Sequence, residues 1–390
     1  MRTDSETEAA FRRDVREFLA ARLPAALKAR VAKGAYLSGA EMRGWIALLA
    51  ERGWSAPSWP KDYGGAELPP RLRAILDEES ALADAPATEG LGLSTIGPAI
   101  IAFGTEAQKA RFLPPIVSGR EVWCQGFSEP GAGSDLSALR TRARRDGGVW
   151  RVDGSKIWTS DAHNSDWILC LARSDTEAGR HGGITALLID MKTPGVTVRP
   201  IRWMNGVHGF NEVFFDEVEV PDWNRLGDEG AGWAVAMHAL GPERIFVSRV
   251  AENKRLLKRL RAAMDWAGAD RDMLTRAARL EVRLLALEER FLGFLHDIEA
   301  GRAVSDEVSM LKLTGSRLIQ SFEALIAECY GPAALPFDPA RAAEEGLGLE
   351  VGPPAAAMSA LRLLHHRGYT IAAGSSEVQL EVLSRRVLGL

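Results

Sequence analysis

The chain is short of cysteine and histidine and has no long apolar run, and each scarcity removes a class of protein. Its three cysteines, Cys124, Cys170 and Cys329, stand far apart and are odd in number. They form neither a disulfide framework nor a CxxC metal site, so a reducing, cytoplasmic setting is expected. Among the histidines, His163, His181, His208 and His238 lack metal-ligand spacing, and the adjacent pair His365-His366 points to different faces of a helix, so no metal is expected. No apolar stretch approaches the ~20 residues that cross a bilayer. The start, Met1-Arg2-Thr3-Asp4-Ser5-Glu6, is too polar and acidic for a signal peptide. A basic excess is also missing: 48 Lys+Arg against 52 Asp+Glu leave a net charge of −4, which argues against a nucleic-acid partner. A Walker phosphate loop and a GxSxG nucleophile elbow are both absent.

What remains is 390 residues, 46% hydrophobic and 26% charged, enough for two or three domains that bury their cores without metal or disulfide staples. The pattern reads helices, then strands, then helices, with no internal repeat. Thr3 and Glu6 suit a capping box ahead of a stripe at Phe11, Val15, Phe18 and Leu19. A second helix carries Met42, Trp45, Ile46 and Leu49 and ends near Gly53, and others run around Leu72 to Leu82 and Ala107 to Val117. From Glu121 the texture changes. Val149 to Trp158 alternates as a strand around turns at Asp146-Gly147-Gly148 and Asp153-Gly154, and Ile184 to Asp190, Val196 to Pro200 and Glu212 to Val220 are further strands. Such short runs with Gly/Pro punctuation suit a small β-barrel or sandwich. Helices return near Trp233. A long one, Leu274 to Ala300, shows an apolar face at Leu274, Ala278, Val282, Leu285, Leu292 and Leu295 with Gly301 as its cap. Another, through Leu318, Phe322, Leu325, Ile326 and Cys329, stops at Gly331-Pro332, and the last follows Gly374-Ser375-Ser376. The expectation is an α+β multidomain chain: an N-terminal helical domain (1–121), a middle β domain (122–226) and a C-terminal helical bundle (227–390).

Four segments have the residue types for chemistry. In Ser128-Glu129-Pro130-Gly131-Ala132-Gly133-Ser134-Asp135, two glycines permit close backbone approach, and successive N–H groups with the Ser134 hydroxyl suit a phosphate; a plain glycine turn has the same composition. Lys156-Ile157-Trp158-Thr159-Ser160 offers a ring to lie against a flat cofactor, or simply a core Trp. Glu243 in Leu240-Gly241-Pro242-Glu243-Arg244 suits a general base if buried in a cleft, or a solvated helix carboxylate if not. Ala372-Ala373-Gly374-Ser375-Ser376-Glu377 enters the last helix, facing an anion or a carbonyl oxygen, or with Ser375 or Ser376 as an ordinary N-cap.

In order and spacing these segments resemble the acyl-CoA dehydrogenase family of flavoenzymes across essentially the whole chain. The first signature reads Trp123-Cys124-Gln125-Gly126-Phe127-Ser128-Glu129-Pro130-Gly131-Ala132-Gly133-Ser134-Asp135 and the second Gly154-Ser155-Lys156-Ile157-Trp158-Thr159-Ser160. The stretch Asn211 to Pro221, Gly232-Trp233, Gly374 to Gln379 and the tail Arg386 to Leu390 also match. The resemblance implies FAD as cofactor and an acyl-CoA substrate, converted to a trans-2-enoyl-CoA as the β-hydride passes to flavin N5. It places Ser128 and the neighbouring backbone on the pyrimidine side of the flavin and Ser134 at its pyrophosphate, with Gln125, Phe127 and Gly133 also among the cofactor-binding residues. Trp158 falls against the isoalloxazine, the Ser160 hydroxyl near N5, and Ser375 and Glu377 by the adenosine half. Many members carry the catalytic Glu just before the glycine of the C-terminal motif, where this chain has Ala373. A minority carry it on the first helix after the β domain, before an Arg, and there the chain has Glu243-Arg244. Glu243 is therefore the expected base, and the Ala373 N–H the expected donor to the thioester carbonyl.

The same resemblance implies an electron-transferring flavoprotein as acceptor, a place in fatty acid or lipid catabolism, and a homodimer or homotetramer. A departure opens another assembly. Where typical members place an Arg that reaches a neighbouring subunit's FAD, this chain has Met264-Asp265-Trp266-Ala267-Gly268, and Gly331-Pro332-Ala333-Ala334 replaces a double-glycine turn. Both changes resemble bacterial members that act on bulky or branched acyl-CoAs, some paired with a different subunit. Two alternatives stand beside the dehydrogenase: a non-catalytic or weakly flavin-binding partner subunit, and a flavin oxidase or monooxygenase on the same scaffold.

Overall fold

The computed structural model describes residues 4–87, 90–241, 245–341 and 350–390. Local side-chain chemistry starts the N-terminal helices. The capping box expected at Thr3 and Glu6 closes instead two residues along, at Ser5 and Glu8. Thr3 lies outside the described residues, Ser5 Oγ accepts from the Glu8 N–H at 3.2 Å, and Glu8 Oε2 accepts from the Ser5 N–H at 2.7 Å, opening α1 (Glu6–Arg22). After α2 (Ala25–Lys33), Ser38 and Glu41 make the same reciprocal pair at α3 (Gly39–Ala50). Past α4 (Pro70–Leu82) and α5 (Gly97–Phe103), Thr105 and Gln108 repeat it at α6 (Glu106–Val117). Each box satisfies N–H groups that a helix start otherwise leaves unpaired.

The middle of the chain is one eight-stranded sheet: β1 (Trp123–Gly126), β2 (Arg142–Asp146), β3 (Val149–Ser160), β4 (Trp167–Arg173), β5 (Ile184–Asp190), β6 (Val196–Arg202), β7 (His208–Pro221) and β8 (Arg225–Leu226). The order is β6-β7-β3-β2-β4-β5-β8, with β1 parallel beside β4. Strands β4 and β5 are buried on both faces, which explains their unbroken apolar runs. One face joins Trp150, Val152, Ile168, Cys170, Leu187 and Val213. The other packs Leu169, Leu171 and Leu188 on Ile100, Phe112 and Ile116 of the helical domain and on Val235 of α7 (Gly232–Leu240). The turn expected at Asp153-Gly154 is not a turn. β3 runs through it, and β7 bulges opposite, where Glu217 takes φ 47° and gives its N–H to Asp153 Oδ1 at 2.9 Å.

The last third is a helical bundle of α8 (Val250–Ala267), α9 (Arg271–Glu299) and α10 (Ser309–Tyr330), followed by α11 (Ser359–His365) and α12 (Ser376–Val382). The apolar face expected on α9 needs correcting. The side that packs is Ala277, Leu280, Leu284, Leu287, Phe291, Phe294 and Leu295, while Leu274, Ala278, Val282 and Leu285 lie exposed. This helix carries two apolar stripes; the one through Leu280, Leu284, Leu287, Phe291 and Phe294 fills the bundle, and of the expected face only Leu292 and Leu295 pack there. Charged and backbone contacts tie the bundle to the N-terminal helices: Lys254 Nζ lies 2.8 Å from Glu78, and Arg255 donates to the Ala81 and Ala85 carbonyls. No helix among the described residues is long and apolar enough to cross a membrane.

Candidate active site

The site is built where β1 runs into a loop and β3 passes beside it. Hydrogen bonds from neighbouring β3 residues join them. Ile157 N–H donates to the Ser128 carbonyl at 2.9 Å, and Lys156 Nζ donates to the Phe127 carbonyl at 3.2 Å. Beneath the loop, the fully buried Lys156 ammonium also meets Glu129 Oε1 at 2.7 Å. Glu129 accepts from the Arg140 N–H at 2.6 Å and the Thr141 N–H at 2.8 Å, so one carboxylate fastens both ends of the 129–140 segment. Burial alone would raise the Glu129 carboxyl, but the Lys156 charge and these donors hold it below the ordinary carboxylate value. The first signature contains Glu129 and the second Lys156. Neither was anticipated as part of the site, because nothing local shows that two charges 27 positions apart meet in the core.

Trp158 owes its position to a β-bulge. Lys156 pairs with Val213 and Thr159 with Asn211, so Ile157 and Trp158 together stand opposite a single residue of β7. Trp158 takes φ 60°, a left-handed conformation costing roughly 1–2 kcal/mol for a side-chain-bearing residue. The extra residue re-aims the indole outward, 56% exposed and edge-on to Phe210, while Lys156 and Thr159 point into the core. Ser160, half-buried, ends the same strand, and its hydroxyl bonds to no described residue.

The glycine loop is open. A methyl built on Gly131 or Gly133 meets nothing within 4 Å, and the N–H groups of Gly131, Gly133 and Ser134 donate to no described residue. Asp135 is held by Arg180 and by the Ser137 hydroxyl. A bare arch of N–H donors with a serine at its end fits a pyrophosphate, and the exposed indole two residues past a buried cation fits a flat ring. Gln125 lies half-buried in β1, and Phe127 is buried.

The C-terminal motif makes no hydrogen bond to this group. Ser375 is the N-cap of α12, its hydroxyl accepting from the Val378 N–H at 3.3 Å, and Glu377 is exposed. No hydrogen bond links either of them to the loop or to β3. Ala373 takes φ 54° directly before Gly374 at φ 83°, and its N–H donates to no described residue. Glu243 and Arg244 lie outside the described residues.

One feature of this region was missed: Gly92–Ile96 is a π-helical turn leading into α5, packed against β1, α6 and α7. Its sequence signal was Gly97-Pro98. In a π turn the Leu93 carbonyl would accept from residue 98, which is a proline and has no N–H. The Trp59 indole supplies the donor instead, at 2.9 Å, and stands so close over Gly97 that any side chain there would collide with it.

Comparison with known proteins finds matches over most of the chain. Residues 5–120 match the N-terminal, 124–218 the middle and 230–388 the C-terminal domain model of the acyl-CoA dehydrogenases. The chain belongs to the acyl-CoA dehydrogenase family. It is an FAD-dependent enzyme that dehydrogenates an acyl-CoA thioester. The acyl-CoA dehydrogenase IpdE1 of Mycobacterium tuberculosis is 36% identical over 394 residues, covering 97% of each chain. Among solved structures, the Tcur3481-Tcur3483 steroid ACAD superposes with a TM-score of 0.86 at 26% identity, over 100% of this chain and 98% of that one. The ChsE4-ChsE5 complex from Mycobacterium tuberculosis gives 0.83 at 27%, over 100% and 99%.

Proposed function

We propose that Glu243 removes the substrate α-proton, with Arg244 beside it, while the Ala373 N–H donates to the thioester carbonyl. The conformation of Ala373 carries this reading. A residue with a Cβ held at φ 54°, with its N–H unspent, is strain kept at a functional position. An α-proton of a thioester is too weakly acidic for a carboxylate unless the developing enolate oxygen is stabilised, and a fixed donor of this kind contributes roughly 3–4 kcal/mol. Bound FAD supplies the hydride acceptor. Ser134 and the Gly131–Gly133 backbone hold its pyrophosphate, Trp158 backs its ring, and Gln125, Phe127 and Ser128 meet its pyrimidine side. Ser160 places a hydroxyl beside the reacting edge. Ser375 and Glu377 serve the adenosine half.

The substrate we propose is a bulky, ring-bearing acyl-CoA, supported by the likeness to a steroid enzyme and by a small residue at 373 where a carboxylate would otherwise fill the site. An electron-transferring flavoprotein in the cytoplasm takes the electrons. The purified protein should be yellow, and its flavin absorbance should fall under anaerobic acyl-CoA. A panel running from short straight chains to steroid side chains would show which acyl groups do this. A colourless protein, or one that no acyl-CoA bleaches, would sink the reading.

A second reading concerns assembly. Trp266 is 52% exposed beside Tyr330 in a surface cleft of about 380 Å³ that also includes Gly268, Asp270 and Gly331. This is where an Arg reaching a neighbour's FAD was expected and is missing. It favours a mixed assembly with a different subunit over a homotetramer, and mass measurement of the native complex distinguishes the two.

A further inference from the structure

The Lys156 ammonium sits at one end of a chain of polar groups that leads to the cofactor side of the loop. It donates to the Phe127 carbonyl at 3.2 Å. The other end of that same peptide unit is the Ser128 N–H, which donates to no described residue. A cation on the carbonyl draws electron density through the amide and makes its N–H a stronger donor, and a low-dielectric setting increases the effect. Lys156 is fully buried and Glu129 nearly so, which keeps the field of the pair from being screened by water. The Ile157 N–H holds the Ser128 carbonyl, in the next peptide unit, at 2.9 Å and so fixes the chain directly after this peptide.

We propose that Lys156, fixed in place by Glu129, is a positioning residue that raises the reduction potential of the bound flavin through the Phe127–Ser128 peptide. The proposal rests on the placement of Ser128 at the pyrimidine side of the flavin given above. Reduction puts negative charge on that side of the ring system, so a strengthened donor there stabilises the reduced form over the oxidised one. The arrangement has an electrical signature that mere loop support lacks. Removing the Glu129 charge alone leaves Lys156 unopposed and must raise the potential, whereas removing both takes away the cation bonded to the Phe127 carbonyl and must lower it.

The test uses the FAD-loaded wild type, Glu129→Gln and the double variant Lys156→Met/Glu129→Gln, with potentials read by dye equilibration without oxygen. The double variant leaves no unpaired buried charge and is the safer fold. Glu129→Gln should be easier to reduce than wild type. The double variant should be harder to reduce than either, by about tenfold in the reduced-to-oxidised ratio, which is about 30 mV for a two-electron couple. Equal potentials in all three, or shifts of the same sign in both variants, would overturn the proposal. If Glu129→Gln does not fold, the double variant alone decides, since a potential at or above wild type contradicts the idea. Trp158→Ala serves as the control on the site itself. If it leaves the flavin spectrum unchanged, the placement of the ring has failed. If it shifts the spectrum while the other potentials coincide, only the role of Lys156 has failed.

Discussion

Trp59 gives its indole N–H to the Leu93 carbonyl, the one acceptor in the 92–96 turn whose π-helical donor is removed by Pro98. The bond crosses from the loop after α3 to the segment packed on α7, just ahead of the proposed base. Pi turns often occur at functional sites, and here the freed carbonyl, the proline and the bare Gly97 that admits the indole form one device.

Trp59→Phe should leave the Leu93 carbonyl buried and unsatisfied. That loss costs about 1–3 kcal/mol, and the smaller ring adds a cavity term. Urea unfolding of the FAD-loaded protein should show a lower midpoint with an unchanged slope. A midpoint equal to wild type would mean that the carbonyl finds another partner.

Ser134→Ala should lower FAD retention. A hydrogen bond to a charged group is worth about 1.5–3 kcal/mol, which corresponds to roughly ten- to a hundredfold in affinity. Trp158→Ala should weaken retention as well and shift the flavin absorption bands. Two variants that purify with full flavin and wild-type spectra would remove both residues from the cofactor site.

Acid should act on the interior at Glu323. Burial alone would raise this carboxyl, but the Arg362 guanidinium, 3.2 Å away, and His366 outweigh it and hold it at about 2, below its unpaired 4.5. A carboxyl lowered on folding adds stability that is complete above the unfolded value and is lost as pH falls through the folded one. The wild type should therefore lose this contribution between about pH 4.5 and 2. Glu323→Gln should be less stable at pH 7 by roughly 3–5 kcal/mol, because Arg362 is left buried without its partner. The gap between the two proteins should narrow as the pH drops through that window, and a gap that stays constant would contradict the assignment.

Moving the base should partly restore activity. In Glu243→Gln combined with Ala373→Glu, the new carboxylate stands where most of the family carries it. Recovery over Glu243→Gln alone should be incomplete, since ~1 Å of misplacement can cost about a hundredfold. The preferred acyl group should also become smaller. A double variant as inactive as the single one on every acyl-CoA, with FAD bound, would remove position 373 from the active site.

Much of this architecture is legible in the sequence because it rests on local rules. Strand Ile184 to Asp190 is found where its apolar run lies, and α10 stops at Gly331, which takes φ 52°. The misreadings occur where tertiary contacts decide between two locally acceptable choices. Asp153-Gly154 has turn composition, yet Gly154 at φ 141° lies against Thr141 inside a continuous strand, and the irregularity is absorbed on β7. On α9, both stripes have helical spacing, and only the fit against Phe322 and Leu256 selects the buried one. At the candidate site, the motifs single out Ser128, Ser134 and Trp158, which we propose hold the flavin. The ion pair of Glu129 and Lys156 beneath them is not legible there, because its members meet only after the sheet has formed.

The most direct test of the account is flavin reduction in Glu243→Gln. The variant and wild type, each loaded with FAD, are mixed without oxygen with an acyl-CoA that bleaches the wild type, and the flavin absorbance is followed by stopped flow. Loss of a general base should slow bleaching by ~10²–10⁴-fold or more while the bound flavin and its oxidised spectrum stay unchanged. Bleaching of Glu243→Gln at a rate near that of wild type would show that another group takes the α-proton.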